Sequence, residues 1–373
     1  MASAMWIVAL SATFAAALNG TMVMPLIVMA MSRLPGIDEG LATAVASCEI
    51  AGVALYCLVL PRLGANRPRT LALTAAAALV IGEFSSQFLA EAAPLAAARL
   101  LAGLGEGALF SLLARQLASR EGAERIWGQI NLVGGLAMGS LLYALSALSD
   151  GKGLFLWLAA FTAVAAPAIL LARPPAAKTI AGGPARIGRG RIGMILGVVF
   201  LIYAVQAGQW AVSGYMGEVS NLSATRLGLF LALSSIAGFI GAVVPSLTRN
   251  PEKRLPRVLL GFLVMSGALA GFFNLIGPGF FLGGQILVNV GFYMATPFLT
   301  GLLTENDADG ALLMKTLVVA LTGTAAGTAL AGDAFTRYGP GWFSAITVAT
   351  VALGAAGAFR VFATPALPAL ETP

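Results

Sequence analysis

Histidine is absent from this chain of 373 residues, and charge of either sign is scarce. Only 10% of residues are Asp, Glu, Lys or Arg, against roughly 25% in an ordinary soluble domain. Without histidine, zinc hydrolysis of the usual kind, Ser-His-Asp catalysis, haem ligation by imidazole and imidazole proton relays are excluded. Cysteine is nearly absent. Cys48 and Cys57 lie in one apolar run, where two thiols on a single helix do not meet, so both read as small buried hydrophobes. No Gly-Lys-Ser/Thr phosphate loop occurs. Gly103-x-Gly105-x-Gly107 lies inside an apolar stretch with no strand before it, so it is not a nucleotide loop. What the chain has instead is apolar surface: 58% of its residues are hydrophobic and 45 are glycine. No soluble shape buries that share, so the expected solvent is lipid, where glycine allows close helix packing. The net charge of +6 does not point to nucleic acid, because the basic residues stand singly or in small groups between apolar runs.

A helix needs about 20 apolar residues to cross the hydrocarbon core. Read between charges and Pro/Gly punctuation, the apolar runs predict twelve spans: 5–30, 39–60, 70–90, 94–118, 126–148, 153–172, 192–215, 225–247, 256–276, 279–303, 312–332 and 341–362. The first lacks a basic leader and is too long for a signal-peptide core, so it is expected to be retained. With the N-terminus placed in the cytoplasm, 17 of the 22 basic residues fall in inner loops or tails, 4 fall outside, and Arg99 falls within a span. This positive-inside bias predicts a multi-pass protein of the cell inner membrane with both termini cytoplasmic.

The longest polar stretch, 173–191, is rich in Pro, Gly and Arg and is expected to be an inner linker. It divides the chain into a six-helix bundle over 1–172 and another over 192–373. The halves echo each other at an offset of about 186 residues. Val59-Leu60-Pro61-Arg62-Leu63 ends the second span as Val243-Val244-Pro245-Ser246-Leu247 ends the eighth. Arg99 and Gly105 match Gln285 and Gly291, and Asn19 matches Gln206.

Six plus six spans, a basic central loop and inside termini resemble the major facilitator superfamily. Arg99-Leu100-Leu101-Ala102-Gly103-Leu104-Gly105-Glu106-Gly107 in the fourth span is similar to that family's fourth-helix signature, an Arg followed by spaced glycines. The loop after the second span holds Arg62, Gly64, Arg67 and Arg69 where the family has a basic gating loop; the expected Asp is missing, with Pro61 near its place. The fifth span has Gly134, Gly135 and Gly139 but lacks the Gly-Pro of the drug-antiporter signature. The resemblance implies an all-α integral membrane fold of 12 transmembrane helices in two pseudo-symmetric bundles. It further implies alternating access around a central site lined by spans 1, 4, 7 and 10.

Charges at mid-membrane cost roughly 2.5–3.5 kcal/mol each on insertion scales, so Glu49, Glu83, Arg99 and Glu106 are the candidate functional residues of the first half. Depth counted along straight helices sets Glu83 level with Arg99, and Glu49 level with Glu106 but farther from Arg99. Glu83 therefore reads first as a structural partner of Arg99, and Arg99 as an anchor, a relay member or a substrate contact. Exclusion from water disfavours the charged form of a carboxyl. Glu106, with Glu49, is thus the candidate carrier of a coupling proton; the plainer alternative is a carboxyl satisfied by a neighbouring amide or backbone group.

No acid falls within the spans of the second half. Its polar groups are Tyr203, Gln206, Gln209, Trp210, Asn274, Gln285, Asn289 and Tyr293. Gln206, Gln209 and Trp210 recur at helical spacing, as do Asn289 and Tyr293. With Asn19, these five are the candidate substrate contacts; helix–helix hydrogen bonding and interfacial anchoring are the alternatives. Asn19-Gly20-Thr21 with Pro25 should loosen the first span, as a hinge, a binding kink or mere tolerance. Glu305, Asp307 and Asp309 read as a solvated inner turn that pairs with basic loops, not as a metal site.

Together these readings predict a monomeric secondary transporter that exchanges protons for a small organic solute, with no cofactor, metal, enzyme activity or nucleic-acid partner. The surplus of membrane carboxylates favours efflux of a neutral or cationic compound. The alternatives are proton symport into the cell, with Arg99 or Lys315 contacting an anion, and, in another class, a membrane enzyme or a lipid scramblase.

Overall fold

The computed structural model describes residues 4–59, 67–118, 123–148, 153–171, 187–248, 250–304 and 311–363. Arg62 and Gly64 of the loop after the second span, most of the 173–191 linker, and Glu305, Asp307 and Asp309 lie outside the described residues.

Where the sequence is apolar it is helical, because in lipid a helix is the one open-ended structure that satisfies its own backbone. The first half consists of α1 (Ala4–Ala17), α2 (Asn19–Ser32), α3 (Glu39–Val59), α4 (Pro68–Ser86), α5 (Ala92–Ala118), α6 (Ala123–Leu148) and α7 (Leu154–Ala165), the last extended by a 3₁₀ turn to Leu171. The second consists of α8 (Arg189–Ala211), α9 (Ser213–Val219), α10 (Ala224–Gly238), α11 (Val243–Ser246), α12 (Arg254–Asn274), α13 (Pro278–Thr304) and α14 (Ala311–Ala363). Among the described residues, these fourteen helices make twelve passes. α1 with α2, α8 with α9, and α10 with α11 each form one interrupted pass, and α14 folds into two at Gly339.

Two interruptions have local causes. Leu18, at φ −122° and ψ 13°, breaks the first pass just before Asn19-Gly20. Gly339 takes φ +76°, open to glycine without strain, and Pro340 follows it, so the chain reverses there. The expected end of the eleventh span at 332 falls short. The helix runs on through Asp333 and Arg337, which are exposed and paired at i,i+4 (Nε–Oδ1 2.6 Å), so its charges leave the hydrocarbon without ending the helix.

The repeat offset reappears as packing. A Cβ on Gly105 would stand 2.6 Å from the Ala75 carbonyl oxygen and 2.7 Å from the Leu79 amide. On Gly291 it would stand 2.6 Å from the Gly261 carbonyl oxygen and 2.8 Å from the Met265 amide. Each second-half residue in this contact is its first-half counterpart displaced by 186 positions. Both glycines let backbones touch where helices cross.

The halves meet through α3 against α14 and α6 against α10. Let the far end be where α2 ends and α3 begins, and the near end where α1 and α8 begin. At the far end Thr43 Oγ1 accepts from the Gly332 amide (3.1 Å) and Thr336 Oγ1 donates to Glu39 Oε2 (2.7 Å). There too Gly228 of α10 lies directly against Ser146 of α6, and exposed Arg33 faces Glu218 across the halves at 3.7 Å.

Candidate functional site

Close crossing in the first half creates a buried ionic cluster. A Cβ on Gly52 of α3 would lie 2.6 Å from the Leu100 carbonyl oxygen, and one on Gly103 of α5 would overlap the backbone of Glu49. Only hydrogen at these positions lets α3 and α5 touch backbone to backbone. That contact carries Glu49 to Arg99. The Arg99 Nη2 is in contact with Glu49 Oε2, and its Nη1 donates to Glu83 Oε2 at 2.7 Å. The Phe155 ring of α7 lies 5.2 Å from the guanidinium carbon, closing another side. Glu49, Glu83, Arg99 and Glu106 are all fully buried.

This arrangement corrects the depth reading in one respect. Glu83 does pair with Arg99, but Glu49 is not remote from it; both carboxylates bind the same guanidinium. A helix is neither straight nor upright in a bundle, and a crossing fixes lateral distance more firmly than residue count fixes depth.

Glu106 stands apart from that triad and answers the break in the first pass. With the helix interrupted at Leu18, the Gly20 amide donates to Glu106 Oε1 at 2.7 Å. A carboxylate thus sits at the start of α2, where free amides and the helix dipole favour negative charge. Among the described residues, Glu106 Oε2 and Asn19 Oδ1 have no hydrogen-bond partner, although both are buried. Asn19 Nδ2 donates to Glu83 Oε1 at 3.3 Å, and any side chain on Gly20 would run into the Glu49 carboxyl. Asn19 and Gly20 therefore link the Arg99 triad to Glu106. Sequence reading marked Asn19-Gly20 as a hinge but not Gly20 as a carboxylate donor; the adjoining Asn-Gly was the available signal.

In the second half, Gln209 Nε2 donates to Gln285 Oε1 at 2.5 Å, both side chains fully buried. This is a helix–helix bond between α8 and α13 of the kind held open for these amides. Gln206 Nε2 donates to Asn289 Oδ1 at 3.4 Å, and Gln206 stays partly exposed. Trp210 bonds across the halves: its Nε1 donates to the Thr21 carbonyl at 3.0 Å. Pro25 has no N–H to offer the carbonyl four residues back, and Trp210 supplies the missing donor.

Tyr293 joins an aromatic ladder. It stacks on Phe239 at 4.8 Å and meets Phe292 edge-on at 5.2 Å, which meets Tyr203 at 5.0 Å. Phe239 and Phe292 were not singled out from sequence, since phenylalanine in a lipid-facing span carries no distinguishing signal. Asn274 bonds to Ser344 Oγ at 3.1 Å, away from this group. Of the basic loop after the second span, Arg67 and Arg69 are described and exposed, and Lys315 is exposed near the start of α14.

No protein-family model matches the sequence, and no curated protein matches it. The likeness is to solved structures. A D-xylose-proton symporter superposes with a TM-score of 0.76 at 17% identity, covering 98% of this chain and 99% of that one. The nucleoside transporter NupG gives 0.72 at 13% identity over 96% and 98%, and the human organic anion transporter MFSD10 gives 0.66 at 14% over 95% and 99%. At such identities the likeness is one of fold. The chain has the major facilitator fold over its whole described length, as its span count and fourth-helix motif implied.

Proposed function

We propose that this chain is a proton-coupled secondary transporter of a small organic solute, in which the halves 1–172 and 192–373 rock about the 173–191 linker and Glu106 carries the coupling proton. The observation that carries the reading is the placement of Glu106. It is a fully buried carboxyl with one oxygen on the broken first pass and the other free of partners. Gain of a proton there would weaken its hold on the Gly20 amide and so act on the pass that touches Trp210 of the opposite half. Glu49 and Glu83 are held by Arg99 and serve in this scheme as the fixed frame. Arg62, Gly64, Arg67 and Arg69 are assigned to gating by resemblance alone.

Efflux in exchange for protons remains the first reading of direction, from the surplus of buried carboxylates. Symport into the cell is the second. The missing Gly-Pro in the fifth pass favours it, and one neighbour of nearly full coverage is described as a D-xylose-proton symporter. Its anion-contacting form loses support, because Arg99 is occupied on both sides by carboxylates and Lys315 is exposed at a helix start.

The test is proton movement in proteoliposomes that trap a pH dye, for wild type and Glu106→Gln. A solute-dependent pH change in wild type that is lost in the variant is expected, and its sign gives the direction. Unchanged coupling in Glu106→Gln would remove the proton role from this residue. Labelled lipid crossing the bilayer without solute or gradient would favour a scramblase instead.

A further inference from the structure

Among the described residues, four charged side chains lie deep in the bundle, all of them in the first half. Glu49, Glu83, Arg99 and Glu106 are each fully buried and bound within the first half. Among the described residues of the second half, every charged side chain stands near a helix end or a turn.

What does reach the boundary at mid-depth is neutral. On α6 the neighbouring glycines Gly134 and Gly135 receive one aromatic ring from each half. A Cβ on Gly134 would lie 2.6 Å from the Phe14 ring, and one on Gly135 would lie 3.5 Å from the Phe239 ring. Phe239 is the end of the aromatic ladder, stacked on Tyr293. Beside Tyr293, four residues back along α13, Asn289 shares a hydrogen bond with Gln206 of α8. Gln206, Tyr203, Tyr293 and Phe239 are all partly exposed, whereas Asn289, the Gln209–Gln285 pair and the ionic cluster of the first half are buried. The boundary surface therefore consists of flat apolar rings beside the Gln206 amide, which both donates and accepts, while Asn289 behind it is buried and bonded to Gln206 and to the Ser234 carbonyl.

A charged solute brought to such a surface would lose its hydration with no opposite charge to replace it. An uncharged solute with hydroxyl or amide groups on one edge and a flat apolar face would exchange its water hydrogen bonds for those of the Gln206 amide, and stack on Phe239 and Tyr293. We infer that the transported solute is uncharged, carries hydrogen-bonding groups along one edge, and is held by Gln206, Tyr293 and Phe239 at the boundary between the halves, with Asn289 fixing the Gln206 amide from behind. This rests on the transport reading above and narrows its substrate to the neutral class. The charged cluster is then left to energise or position, without touching the solute.

The test is uptake of labelled probes into proteoliposomes: a pentose and a nucleoside as neutral probes, a monocarboxylate and a dicarboxylate as anions, and a quaternary ammonium as the cation. Uptake of at least one neutral probe and of none of the ions is expected. Gln206→Ala and Tyr293→Ala should each raise KM for that probe about tenfold while both proteins stay folded by circular dichroism. Gln206→Glu should let the quaternary ammonium compete where it did not before. Uptake of an ion in preference to both neutral probes would overturn the inference and leave transport standing. Unchanged KM in Gln206→Ala and Tyr293→Ala would overturn the assigned contacts. No uptake of any probe by folded protein would count against transport itself and take the inference with it.

Discussion

Arg99 is the residue on which the first half is built, because one guanidinium faces two carboxylates in a setting without water. Removing one member of a buried ion pair typically costs about 3–5 kcal/mol, since the partner is left charged and unpaired. Arg99→Met is expected to fall in that range, read as loss of thermal stability in detergent. Arg99→Lys should recover little, because an ammonium is a point charge and cannot offer a planar fork to two carboxylates at once. Arg99→Met combined with Glu49→Gln and Glu83→Gln should recover most of the loss, since no charge is then left unpaired; additive losses in the triple variant would refute the shared-guanidinium account. At this scale the sequence disclosed residue types better than partners. Four charges in apolar runs stood out, and depth alone suggested Glu83 for Arg99. Glu49 was misplaced because its approach depends on hydrogen-only side chains at Gly52 and Gly103, whose effect on crossing distance is invisible until both helices are in place. Gly20 shows the same limit: an added methyl would meet the Glu49 carboxyl, so Gly20→Ala is expected to lower the stability of the folded protein, measured by the same thermal assay.

The elements carry their own compensations. Pro25 lies inside α2, and the carbonyl it cannot serve, that of Thr21, takes the Trp210 indole N–H from the other half. A buried carbonyl left without a donor costs about 1–3 kcal/mol, and because Thr21 is half-buried the low end, about 1 kcal/mol, applies here. Trp210→Phe keeps the ring and removes the donor, so it should destabilise by about that amount in the wild-type background. With Pro25→Ala the helix regains its own N–H, and the added effect of Trp210→Phe should shrink to that of lost packing. Equal effects in both backgrounds would mean that the indole bond does not replace the missing backbone donor. The sequence located Pro25 and Trp210 separately but not together, because they lie 185 residues apart and nothing in either span specifies the other. Helix ends were legible where glycine or proline marks them, as at Gly339-Pro340. They were misjudged where charge was used as the marker: Asp333 and Arg337 pair along one helix face and extend it. Arg67 and Pro68 show the reverse case, where proline at the first turn of α4 sets the start two residues ahead of the apolar run.

At the scale of the whole molecule, the architecture was the most legible feature, because twelve apolar runs and an asymmetric distribution of arginine leave few other membrane topologies. The face each helix turns to its partner half was the least legible. A lipid-facing stripe is as apolar as a packed one, so the periodic contrast that identifies a core face in water is missing; Leu55, Phe88 and Leu263 are large, apolar and exposed. The repeat helps here, since it extends from motifs to contacts. Ser146 against Gly228 and Thr43 against Gly332 are related by the same offset, to within a residue, so the two seams between the halves are versions of one contact. Both lie at the far end, together with Arg33–Glu218 and Thr336–Glu39. If the halves rock, these contacts must part for a solute to enter or leave on that side. Glu39→Cys with Thr336→Cys, in a chain whose Cys48 and Cys57 are replaced by Ala, places a half-buried and an exposed thiol on opposite sides of the seam. A short bifunctional thiol reagent should stop transport in proteoliposomes, and a reducible version should restore it on reduction. Each single-cysteine variant treated alike should keep its rate. Full transport by the cross-linked double variant would show that the far-end seam does not open during turnover.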